Sequence, residues 1–133
     1  MNNEELLEII TKNLNDKLKI QNPTLKFNIE MKKYPDCITS EFIQKERTIP
    51  FFCLMKSLYD SIEVFFLPTK NEQALCDMWY NNSIYSPEIS IGKLLDNPIE
   101  LSLFGNGLTH SKSFTIEEVV DFIYEKLNTH INS

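Results

Sequence analysis

Arginine is almost missing from this chain. Arg47 stands alone among 133 residues, against twelve lysines. The planar guanidinium fork is the preferred bidentate ligand of phosphate and guanine edges, so its scarcity argues against direct nucleic-acid recognition. Glycine is nearly as scarce, with only Gly92, Gly105 and Gly107. Neither a G-x-G-x-x-G dinucleotide turn nor a Walker A loop can be built from them. A G-x-S-x-G nucleophile elbow and an EF-hand loop are missing too. Histidine is limited to His110 and His130, and cysteine to Cys37, Cys53 and Cys76. No Cys-x-x-Cys or His-x-x-x-His pair offers zinc spacing. An odd number of widely spaced cysteines reads as reduced structural thiols in a reducing compartment. No apolar run approaches the eighteen or so residues of a membrane span. The opening MNNEELLEII is acidic and polar where a secretory leader needs a basic start and an apolar run. Cytoplasmic residence is therefore expected, with no membrane contact.

Catalysis finds little support in the same residues. A nucleophile needs a base beside it, and nothing in the spacing brings Cys76 to His110. The carboxylates are plentiful, but acids on a solvated helix face lack the burial that general acid catalysis requires. The chain is not read as an enzyme, and neither a cofactor nor a metal is expected.

What is present is the material of one folded domain, residues 1–133. Hydrophobic residues make up 42% and charged residues 24%, enough to bury a core without disulfide or metal staples. The net charge of −6 is uneven. Residues 1–67 carry nine basic groups against ten acids, and residues 68–133 carry four against nine. An acidic half repels phosphate and attracts a basic protein. It also serves plain solubility.

Periodicity then divides the chain. Leu7, Ile10, Leu14 and Leu18 recur at helical spacing, with Glu4, Glu5 and Glu8 at the start and Lys17 and Lys19 at the end, as the helix dipole prefers. Asn22-Pro23 breaks this helix. Leu25, Phe27, Ile29 and Met31 alternate with Lys26, Asn28, Glu30 and Lys32, the mark of a strand with one wet face. Tyr34-Pro35-Asp36 reads as a turn, and CITSEFIQ as a second, partly exposed strand. Residues 50–58 fit either a helical face or a buried strand. The bounding Pro50 and Pro68 and the aromatic content favour a hairpin with IEVFFL, itself a central strand. Thr69 to Glu72 has the form of a capping box opening a short helix that ends at Asn81-Asn82. EISIG and PIELSLF follow as strands, with GNG as a turn. Thr115 to Glu118 is a second capping box, and it starts a helix with Ile116, Val119, Val120, Ile123 and Leu127 on its apolar face. The fold class is α+β, a largely antiparallel sheet with helices at the N-terminus, middle and C-terminus, in the order α-β-β-(β-β)-α-β-β-α.

Two places are candidates for partner contact. The stretch from Cys76 to Glu88 holds Trp79, Tyr80 and Tyr85 with Asp77 and Glu88, and no lysine or arginine. Trp79 shares a helical face with Leu75 and Met78, which also suits a core position. Tyrosine and tryptophan combine apolar area with a polar tip and are typical interface anchors. The other candidate is the last helix, whose Glu118, Asp121 and Glu125 must face water beside Glu117.

These features fit a small acidic protein whose work is binding another protein, one of basic character. In size, acidity and lack of catalytic motifs the chain is similar to bacterial immunity proteins, which neutralise a toxin by direct contact. A composition rich in lysine and asparagine suggests an AT-rich bacterial or phage genome, and a phage-encoded inhibitor of a host defence protein has the same physical type. The order of elements also resembles the class I type III secretion chaperones, which are small, acidic and dimeric and run α-β-β-β-α-β-β-α. That resemblance spans most of the chain, although the extra hairpin strand and the short middle helix depart from the pattern. It implies a homodimer that offers apolar grooves to an unfolded effector.

Overall fold

The computed structural model describes residues 1–24, 26–33, 38–44, 51–56, 62–67, 89–105 and 113–131. Helix α1 spans Asn3–Gln21, strands β1 to β6 span Phe27–Lys33, Ile38–Gln44, Phe51–Lys56, Ile62–Leu67, Ile89–Asp96 and Ile99–Gly105, and helix α2 spans Ile116–Ile131. The expected middle helix lies outside the described residues, as do Cys37, Cys76, His110 and the Tyr34-Pro35-Asp36 turn.

Helix α1 starts where Asn2 accepts a hydrogen bond from the Glu5 backbone N–H at 2.8 Å, which satisfies one of the free donors of the first turn. It ends where the Asn22 N–H donates to the Leu18 carbonyl at 2.9 Å. The expected stripe of Leu7, Ile10, Leu14 and Leu18 is fully buried, joined by Leu6. Helix α2 starts with the capping box that Thr115 and Glu118 predict. The Glu118 N–H donates to Thr115 Oγ1, and the Thr115 N–H donates to the Glu118 carboxylate, each at 3.2 Å. Val119, Val120, Ile123 and Leu127 are buried.

The strands form one six-stranded sheet in sequence order, β1-β2-β3-β4-β5-β6, with every neighbouring pair antiparallel. Residues 51–56 form a strand, with Phe51 opposite Leu67 and Lys56 opposite Ile62. β4 lies inside the sheet, as its apolar sequence suggests. Both helices cover one face. α1 meets β1, β2 and β3, α2 meets β6, and the helices touch each other. Register sets apolar pairs on the face beneath them: Ile29 opposite Phe42, Val64 opposite Ile89, and Ile91 opposite both Ile62 and Leu103. These residues share one core with the helix stripes.

Strand β2 differs from its expected partial exposure. Thr39, Ser40, Glu41 and Phe42 are all buried. Ser40 faces α1, since Thr11 donates to its hydroxyl at 2.9 Å. Alternation then directs Thr39 and Glu41 to the other face, where Thr39 donates to Glu41 Oε2 at 2.8 Å. These hydrogen bonds offset part of the cost of burying polar side chains, although Glu41 Oε1 is buried and accepts no hydrogen bond from the described residues.

The edges of the sheet are partly occupied. On β1 the Ile29 N–H donates to Asn15 Oδ1 of α1 at 3.2 Å. On β6, Leu101 and Phe114 exchange two backbone hydrogen bonds of 2.8 Å, and the chain passes from this bridge into α2. Both contacts blunt edges that would otherwise recruit another strand.

Candidate functional site

The two helices carry their acids to one place. Leu14 and Leu18 of α1 face the core, Lys17 flanks them half-buried, and Asp16 and Ile20 lie farther round on the exposed side of the helix, yet all three border the space toward α2. On α2, Val120 at the edge of the buried stripe and the exposed Glu117 and Asp121 beside it face the same space. The two sets border a groove of about 500 Å³ between the C-terminal half of α1 and the first two turns of α2.

Its wall chemistry is mixed. The Lys17 ammonium pairs with the Asp121 carboxylate and lies 5.0 Å from the centre of the Tyr124 ring, so this basic group is held by α2. Asp16 and Glu117 are exposed, and among the described residues neither pairs with a cation. Ile20 is 75% exposed, the most exposed large apolar side chain described, while Val120 supplies a buried apolar floor. Outside the groove, Glu118 and Glu125 continue the acidic surface along the solvent side of α2. The Glu118 side chain is engaged in the helix cap.

Of the residues singled out from the sequence, Glu118, Asp121 and Glu125 are brought onto one surface of α2. Asp121 also borders the groove and is engaged by Lys17. Asp77, Trp79, Tyr80, Tyr85 and Glu88 lie outside the described residues. Two groove residues are not among those expectations. Asp16 looks like any solvated acid, and Ile20 sits just past an apolar stripe. Its phase was the available signal, since the spacing of Leu7, Leu14 and Leu18 leads to Gln21 and not to Ile20.

Away from the groove lining, the β5–β6 hairpin leaves Leu94, Leu95 and Phe104 about half exposed. A register shift between Lys93 and Leu95 inserts an extra residue there, which bends a strand and re-aims its side chains. Among the described residues no three His, Cys, Asp or Glu side chains converge to hold a metal ion, and no helix is long and apolar enough to cross a membrane. No family model, curated protein or solved structure matches this chain.

Proposed function

We propose that the protein is an inhibitor that acts by binding, neutralising a basic protein toxin in the manner of bacterial immunity proteins. The supporting observation is the surface of α2, where Glu117, Glu118, Asp121 and Glu125 are all exposed on a helix whose other side is locked into the core. Toxins that act on polyanions carry basic surfaces, and a complementary acidic surface speeds encounter and rejects wrong partners. A helix held by Val119, Ile123 and Leu127 fixes the backbone that carries these carboxylates, which limits the backbone entropy lost on association. Inhibition needs no chemistry on this side of the interface, because covering the toxin's basic face excludes its substrate. An inhibitor of a host defence protein would work by the same physics.

Affinity capture with the full chain, followed by assay of the captured protein, tests this reading. The expected result is one basic partner whose activity falls to zero at an equimolar ratio. Turnover by the protein alone would replace the reading with an enzyme.

A second reading, a secretion chaperone, draws on the half-exposed Leu94, Leu95 and Phe104, which offer apolar surface to an unfolded client. Capture of an unfolded effector, lost on Leu95→Ser but kept on Glu117→Lys, would favour it.

A further inference from the structure

We propose that the α1–α2 groove is the docking point of the partner, and that its occupant is a lysine or arginine side chain on that protein's surface. The inference rests on the protein-binding reading above and gives it a site. Three observations converge on this occupant. The groove has room for a long side chain, at about 500 Å³. Asp16 and Glu117 border it and form no ion pair with a described cation, and Lys17 is already held by Asp121 and Tyr124. Ile20 stands 75% exposed on one wall, with Val120 beneath.

A carboxylate pair alone would suit any cation. The exposed isoleucine narrows the choice, because lysine and arginine lay their methylene stems on apolar surface and keep the charged head by the acids. A small inorganic cation gains nothing from Ile20, and an aliphatic side chain gains nothing from Asp16 and Glu117. The remaining acids, Glu118 and Glu125, lie farther out on α2, where they would steer the approaching basic surface and add little once it is bound.

Selection of a random-peptide library on the immobilised full chain tests the groove. The recovered peptides are expected to carry lysine or arginine beside aliphatic residues and to release as salt rises. They should bind Asp16→Lys and Glu117→Lys about tenfold more weakly than the parent chain. Ile20→Ser should weaken them also, and Lys126→Ala, on the other flank of α2, should not. All four positions are exposed, and thermal melts establish that each variant is folded. Recovery of acidic peptides, of no peptide, or of basic peptides that bind all variants like the parent overturns the proposal. The broader reading fails by a different result, when affinity capture yields no partner. It survives the loss of the groove if a captured inhibitor target binds Asp16→Lys and Glu117→Lys as tightly as the parent.

Discussion

At the scale of single residues, the interior polar pair on β2 is the most exacting feature. Thr39 and Glu41 are both fully buried, and the threonine hydroxyl donates to the carboxylate at 2.8 Å. A buried acceptor that loses a donor keeps its desolvation cost and gets nothing back. Thr39→Val, nearly the same shape, is therefore expected to lower stability by about 1–3 kcal/mol, while Thr39→Ser retains a hydroxyl and should lose less. Urea denaturation of both variants decides it, and equal losses would mean that packing of the methyl group matters more than the hydrogen bond. Such a pair was not legible beforehand. In CITSEFIQ the polar residues look solvated, and burial of a glutamate depends on what the fold lays over it. Leu7, Ile10, Leu14 and Leu18, by contrast, announce their burial through spacing alone, because an apolar stripe at helical period has only one stable use.

Whole elements were the most readable level, and the reasons differ from one to the next. β1 shows clean alternation because one of its faces meets the helices and the other carries Asn28 and Glu30 to solvent. α2 is marked at its start by Thr115 and Glu118 and along its length by its apolar stripe. The run of residues 50–58, which contains the strand Phe51–Lys56, is ambiguous in sequence because a short apolar-rich run fits a helical face as well as a buried strand. Its pairing with Ile62–Leu67 settles the matter, and such pairing is a long-range fact that local composition does not contain. The order of the sheet is simpler than it had to be, since each strand pairs with its neighbour in sequence. The docking of α2 depends on a few side chains within this frame. Ile123 is fully buried among Val119, Val120 and Leu127, so Ile123→Ala should cost about 2–4 kcal/mol. Glu125→Ala, on the exposed side of the same helix, should stay within about 0.5 kcal/mol of the parent. Thermal or urea melts separate the two, and a loss at Ile123 no larger than at Glu125 would mean that α2 is not held through its apolar stripe.

For the molecule as a whole, charge is the quantity that sequence reveals most and local structure refines. The net value of −6 and the acidic second half are visible in composition, but composition does not say where a surface is uncompensated. That depends on pairs such as Lys17–Asp121 and Lys33–Glu4, which join residues far apart in the chain and use up acids that looked free. It depends equally on the contact between α1 and α2, which puts Asp16 and Glu117 on the border of one groove although about a hundred residues separate them. Exposed pairs of this kind contribute little to stability, about 0–1 kcal/mol each. Their larger effect is on which carboxylates remain to act at a distance. Glu117, Glu118 and Glu125 are exposed, and replacing all three by glutamine removes charge with little change in shape. Against a basic partner, this triple variant is expected to associate about tenfold more slowly at low salt. The difference should shrink as ionic strength rises, because screening at 0.15 M already limits such forces to about 8 Å. Dissociation should slow or quicken much less, except for the share that Glu117 contributes within the groove. Stopped-flow association and dissociation rates over a range of salt measure both. If the variant associates like the parent at low salt, the acidity of α2 serves solubility and does not guide a partner to the groove.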